Sequence, residues 1–118
     1  MKVLICEDDI VVVTLLTIIL RTKNIEPVSV ADGRQALRLL RENAFDLIIT
    51  DIHMPYHNGD EILSLVRGEQ GRQTPIIMIS SDTDEEVIDL ALKSGVNAFV
   101  KKPLKQVDVE KALKPFLK

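Results

Sequence analysis

The run DLIITDIHMPYHNG, residues 46–59, decides the fold. Leu47, Ile48 and Ile49 follow one another without polar alternation, so the strand they predict is buried on both faces. The run ends at Asp51, and the following Pro55 and Asn58-Gly59 are loop and turn residues. A strand of this kind belongs inside a parallel sheet, with helices packed above and below it.

Two other stretches share this character. Residues 2–6 (KVLIC) run apolar into Glu7, Asp8 and Asp9, and residues 75–79 (PIIMI) run into Ser80 and Ser81. Shorter strands are predicted at 27–31 and 98–101. Helices are predicted at 10–22, 34–42, 60–66, 84–93 and 107–117. Asp8 or Asp9 is placed to cap the first helix, and Ser94-Gly95 is a C-cap signal after the fourth. Asp32-Gly33 is read as a turn, and residues 68–73 as a polar turn segment. Strand and helix alternate five times, which implies right-handed crossovers and a parallel sheet covered on both faces. Ligands of such sheets bind at the carboxyl ends of the strands.

Composition narrows the function classes. The 118 residues include 15 Lys plus Arg against 18 Asp plus Glu, a formal net charge of −3. That balance argues against direct nucleic-acid binding. The length suits a single domain over residues 1–118. One cysteine, Cys6, leaves no intramolecular disulfide and no Cys-rich metal pattern, which fits an intracellular, cytoplasmic protein. The acidic start is unlike a secretory signal. The most apolar stretch, residues 10–20, falls short of the ~20 residues a membrane helix needs.

The polar residues gather at the strand ends. Glu7, Asp8 and Asp9 follow the first strand, Asp51 ends the third, Ser80 and Ser81 follow the fourth, and Lys102-Pro103 follows the fifth. Clustered carboxylates resist joint ionisation and call for a cation. Oxygen ligands without His or Cys favour a hard divalent ion such as Mg²⁺. A carboxylate beside Mg²⁺, an ammonium and a hydroxyl suits phosphoryl transfer, with the carboxylate as nucleophile and an acyl phosphate as product.

The motifs, in order, are Glu7-Asp8-Asp9 after Val3-Leu4-Ile5-Cys6, then Asp51-Ile52-His53-Met54-Pro55 with Gly59. Pro75-Ile76-Ile77-Met78-Ile79-Ser80 comes next, and Gly95 with Lys102-Pro103 last. Over essentially its full length the chain resembles the receiver domain of two-component response regulators, the CheY-like family. The resemblance implies a flavodoxin-like (βα)5 sandwich of three layers. Its strand order is 2-1-3-4-5, with two helices on one face and three on the other. It implies that Asp51 is the phosphoacceptor, that Glu7 and Asp8 bind Mg²⁺ together with Asp51, and that the His53 backbone carbonyl is a further ligand. Ser80 matches the switch hydroxyl, Lys102 the lysine, and Phe99 the aromatic switch position. The Lys102-Pro103 bond is cis in the family. His53 and Asp82 would tune the lifetime of the phosphoryl group. Leu104 stands where the family often has Phe, and Phe99 lacks a hydroxyl.

The implied partners are a sensor histidine kinase or histidine phosphotransfer protein, meeting the first helix, and a downstream target or effector domain that the sequence does not name. The implied output surface is formed by helix 4, strand 5 and helix 5, and homodimerisation through helices 4 and 5 stays open. The domain assists its own phosphorylation and hydrolysis but is not a conventional turnover enzyme.

Other readings compete. The acids could simply cap the first helix. Ser81 competes with Ser80, and Lys101 with Lys102; position favours Ser80 and Lys102. His53 and His57 are four apart, but Pro55 between them argues against a shared helix face and a zinc pair. Cys6 reads as a core residue. In residues 10–20, Thr14 and Thr17 are the only polar positions, and with Arg21 they mark a narrow polar stripe. Some of Val11, Val12, Leu15 and Ile19 then remain exposed, either as a broad core face or as a docking patch. The alternative functions are a non-switching interaction module and a small cofactor binder. Glu7-Asp8-Asp9 would repel the phosphate of the second.

Overall fold

A computed structural model describes residues 1–53, 59–81 and 85–117. Its strands are β1 (Val3–Cys6), β2 (Val28–Val30), β3 (Leu47–Asp51), β4 (Ile76–Ser80) and β5 (Ala98–Lys101). Its helices are α1 (Ile10–Arg21), α2 (Gly33–Glu42), α3 (Gly59–Leu63), α4 (Glu85–Lys93) and α5 (Gln106–Leu113). All neighbouring strands are parallel, in the order β2-β1-β3-β4-β5. This is the parallel sheet that the alternation of elements implies, in the flavodoxin-like order that the resemblance implies.

β1, β3 and β4 are buried at every position, as their unbroken apolar runs require. β2 is an edge strand, largely exposed. Successive side chains of a strand point to opposite faces, so each central strand feeds two cores. Leu4, Ile48, Ile76 and Met78 join Ala36 and Leu40 of α2, Ile62 of α3 and Ala91 of α4 on one side. Val3, Ile5, Ile49 and Ile79 join Leu16 and Leu20 of α1 and Leu113 of α5 on the other. Two helices therefore cover one face and three the other.

Local chemistry sets the helix ends. Asp9, rather than Asp8, caps α1, its Oδ1 accepting from Val11 N–H at 2.9 Å. Asp32 caps α2, accepting from Gln35 N–H at 3.0 Å. Gly95, at φ +114°, closes α4. Val96 N–H donates to the Ala91 carbonyl at 3.2 Å and Gly95 N–H to that of Leu92 at 3.3 Å, the paired bonds of a glycine-terminated helix.

The structure corrects two sequence expectations and, on α1, bears out a third through Val11. The third helix does not give way to a polar turn at residue 68, because a π-helical turn (Ser64–Glu69) extends it. The last helix does not reach residue 117 unbroken. Pro115 lacks an N–H and crowds the carbonyl four residues back, so α5 stops at Leu113 and a 3₁₀ turn (Lys114–Phe116) follows. On α1, Val12 and Ile19 are buried, whereas Ile10, Val11 and Ile18 face solvent at 73%, 72% and 55% exposure. No helix among the described residues is long and apolar enough to cross a membrane.

Candidate functional site

The sheet's own hydrogen-bond ladder places the polar residues. One residue past β1, Glu7 N–H donates to the Val30 carbonyl at 3.0 Å. One residue past β3, Ile52 N–H donates to that of Ile79 at 3.0 Å, which fixes Asp51 before it. One residue past β5, Lys102 N–H donates to the Ser80 carbonyl at 2.8 Å. Three ladder bonds thus hold a glutamate, an aspartate and a lysine at one edge of the sheet.

There they meet. Lys102 Nζ donates to Asp51 Oδ2 at 2.8 Å and stands 2.6 Å from Glu7 Oε1. The second contact is an ion pair without hydrogen-bond alignment, so the buried Glu7 Oε1 has no hydrogen-bond partner. His53 N–H donates to Asp51 Oδ1 at 3.0 Å, and Asp8 N–H to Glu7 Oε2 at 3.1 Å. Glu7 and Asp51 are almost wholly buried, at 2% and 5% exposure, while Asp8 is exposed at the rim. One carboxylate oxygen each from Glu7, Asp8 and Asp51 falls within 4.8 Å of the others.

Two buried carboxylates and one ammonium leave the site short of positive charge. Burial, reinforced by a hydrogen bond to Asp51, pushes the Glu7 carboxyl up to about 7 against the pull of Lys102. Burial raises Asp51 too, but the Glu7 proton, the Lys102 ammonium and the His53 N–H outweigh it and hold Asp51 below the ordinary range. Lys102 loses some basicity to burial and regains more from the two carboxylates, so its value is raised. Within the pair, burial favours the proton on Glu7, while Lys102 and the His53 N–H favour the charge on Asp51. Three carboxylates, an oxygen without a hydrogen bond and no nitrogen or sulfur donor fit a hard divalent cation.

Ser80 ends β4 with no exposed surface, paired with Lys101 in register. Ser81 and Lys101 are exposed. Phe99 is half-buried against the core on the side of α2, α3 and α4, opposite Met78 in register. The Lys102-Pro103 bond is cis. Met54, Pro55, His57, Asn58 and Asp82 lie outside the described residues. A cleft of about 400 Å³ opens beside the site, lined by Val11 and Leu15 of α1 together with Ser81, Lys102, Pro103 and Leu104.

Two supports escaped the sequence reading. Thr50 is buried, and its Oγ1 donates to the Asp51 carbonyl at 3.0 Å; a lone hydroxyl inside an apolar run was the available signal. Gly59 is read from sequence only as part of a motif. A Cβ built on it would stand 2.9 Å from the Asp51 carbonyl oxygen and 3.1 Å from Ile52 Cα. Only a bare α-carbon lets α3 start against the end of β3.

Comparison with known proteins agrees with this geometry. The family described as "Response regulator receiver domain" matches residues 3–114. The DNA-binding response regulator MtrA of Mycobacterium tuberculosis is 34% identical over 104 residues, 88% of this chain and 45% of that protein. The chain therefore spans less than half the length of that relative. The chemotaxis response regulator CheY4 of Vibrio cholerae superposes with a TM-score of 0.87 at 32% identity, over 98% of each chain. The receiver domain of the sensor histidine kinase PA1611 from Pseudomonas aeruginosa, solved with magnesium in its active-site cleft, superposes with a TM-score of 0.83. It is 28% identical, over 98% of this chain and 96% of that one.

Proposed function

The chain belongs to the response-regulator receiver family of two-component signalling, and on that premise we propose that it is a switch thrown by phosphorylation of Asp51. The observation that carries the reading is the Glu7–Asp51–Lys102 constellation. It combines a buried carboxylate kept ionised, a lysine 2.8 Å from it and an acidic rim short of one cation.

Glu7, Asp8 and Asp51, with the His53 carbonyl, would hold Mg²⁺. When bound, the ion supplies positive charge that neutralises the phosphoryl oxygens. The protein's own groups do the rest. His53 N–H and Lys102 orient the Asp51 carboxylate for attack. An Asp51 oxygen forms a P–O bond as the P–N bond of a donor phosphohistidine breaks. The electron pair leaves with the imidazole nitrogen, and an acyl phosphate remains. The new group carries about −1.5 to −2 charges. Lys102, 2.8 Å from Asp51, and the Ser80 hydroxyl then bind it, which biases the segment after β4 toward a second arrangement, with Phe99 turning inward. The face of α4, β5 and α5 is the output surface. The chain acts in the cytoplasm and is a substrate that assists its own turnover rather than a conventional enzyme.

The donor is a histidine kinase or phosphotransfer protein. The exposed Ile10, Val11 and Ile18 of α1, of which Val11 lines the cleft at Lys102, suit an apolar partner helix. The output passes to a separate protein or effector domain.

Intact mass after incubation with acetyl phosphate and Mg²⁺ tests the reading. One phosphoryl group is expected on the wild type and none on Asp51→Asn or without metal. A folded wild type that gains nothing is instead a non-switching interaction module.

A further inference from the structure

At the edge of the sheet far from Asp51, one guanidinium joins three segments. Arg67, in the π-helical turn, donates to the Gly95 carbonyl from Nε at 3.2 Å and from Nη2 at 3.0 Å. Its Nη1 donates to the Arg72 carbonyl at 2.9 Å, and Nη2 also reaches Asn97 Oδ1 at 2.9 Å. That same Asn97 oxygen accepts the Ile76 N–H at 2.9 Å, and Asn97 N–H returns a bond to the Ile76 carbonyl at 2.8 Å. The end of α3's extension, the loop closing α4 and the start of β4 are thereby tied at one point. Gly95 serves this junction twice: it takes φ +114°, and a Cβ there would stand 3.2 Å from Arg67 Nε.

The two ends of α4 are held differently. Its carboxyl end is fastened through Gly95, and Ala91 near that end is its only buried residue. Residues 85–89 contribute no fully buried side chain, and only Val87 among them packs partly against the core. This amino end is also the one the chain reaches directly from Ser80.

We propose that Arg67 is a positioning residue that clamps the carboxyl end of α4 to the sheet. A rearrangement beginning at Ser80 is then taken up by the amino end of the helix, with the Gly95–Asn97 segment as its pivot. A planar fork can satisfy three separate oxygens at fixed angles where an ammonium cannot. The pivot rests on the phosphorylation reading; the clamp does not.

Residue-resolved amide hydrogen exchange tests both, on wild type, Arg67→Ala and Arg67→Lys, before and after acetyl phosphate with Mg²⁺. In the unmodified protein, either variant is expected to speed exchange at Ile76, Gly95, Val96 and Asn97 roughly tenfold, the loss of about one net hydrogen bond or more. The β1–β3 amides should stay unchanged. On phosphorylation, wild type should change protection at residues 85–89 and not at 94–97, whereas the variants should change it in both. Equal responses at both ends of α4 in wild type overturn the pivot. Wild-type protection in Arg67→Lys overturns the clamp, because charge alone then suffices; this variant also carries the test if Arg67→Ala does not fold. A wild type that takes no phosphoryl group removes the switch and the pivot together, and exchange in the unmodified variants still decides the clamp.

Discussion

Replacing Gly59 with alanine adds one methyl group against the backbone that carries Asp51. The new carbon would stand 2.9 Å from the Asp51 carbonyl oxygen, 3.1 Å from Ile52 Cα and 3.2 Å from Met78 Cε. Met78 can bend away, but the other two atoms are main chain. Their position is fixed by the Thr50 hydroxyl at 3.0 Å and by the Ile52–Ile79 ladder bond at 3.0 Å. Overpacking of this kind costs about 1–3 kcal/mol. Alanine offsets at most about 1 kcal/mol of that through helix propensity. From the middle of that range, the net loss is about 1–2 kcal/mol, a fall in Tm of about 4 °C for each kcal/mol at 118 residues. The displacement falls on the phosphoacceptor as well. A misplacement of ~1 Å can cost ~100-fold in rate, so a few tenths of an ångström should slow phosphorylation by roughly three- to tenfold. Urea unfolding and a time course of intact mass with acetyl phosphate measure the two effects. Gly68→Ala is the control, since nothing lies within 4 Å of its Cβ. If Gly59→Ala matches wild type within about 0.5 kcal/mol and is phosphorylated at the same rate, the close-approach argument is wrong.

Three further outcomes are expected. Lys102→Met removes the cation facing both carboxylates, and phosphorylation should slow by roughly 10- to 100-fold while circular dichroism stays native. Mg²⁺ should bind more tightly as pH rises toward 7, by about tenfold per unit, because the ion must displace the Glu7 proton; calorimetric titration between pH 5.5 and 8 reads this. The sign for the metal-free fold is the reverse. Glu7 is raised from 4.5 to about 7, so its contribution to stability is full below its unfolded value and is lost as pH rises through about 7. Asp51 is lowered, and its contribution disappears only as pH falls below the ordinary carboxylate range. Val11→Ser with Ile18→Ser should alter unfolding by less than about 1 kcal/mol, since both side chains are mostly exposed. The same pair should weaken phosphotransfer from a phosphohistidine donor, measured as the donor concentration giving half-maximal rate.

The layer order and the meeting of Glu7, Asp51 and Lys102 were legible because each depends on a local signal. An unbroken apolar run marks a buried strand, and a polar residue just past its end is carried to the same edge as its neighbours. What was not legible depends on contacts between distant segments. Arg67 looks like a solvated residue in a polar stretch, yet its acceptors on Gly95 and Asn97 lie 28 and 30 residues away. The π-helical turn was missed for a related reason, because Gly68 and its polar neighbours carry no apolar period to extend. The α1 surface was half legible. Thr14 and Arg21 do mark the exposed stripe, and stepping four residues either way from Thr14 reaches Ile10 and Ile18. The apolar identity of those two residues hid what their phase revealed. Pro115 was visible throughout as a helix breaker.

The single thiol sits at the carboxyl end of β1, directly before Glu7, with no exposed surface. Burial lifts it to about 12, with only partial relief from its bond to Thr50. In the folded chain it is both unreachable and un-ionised, packed with Ala36 and Leu40 of α2, so an alkylating reagent can attack only molecules in which that core has opened. The labelling rate then measures how often the core between the sheet and α2 opens, without any engineered probe. Because Cys6 adjoins the acidic edge, whatever fastens that edge slows the same reaction, and the chain carries its own chemical gauge of ligation.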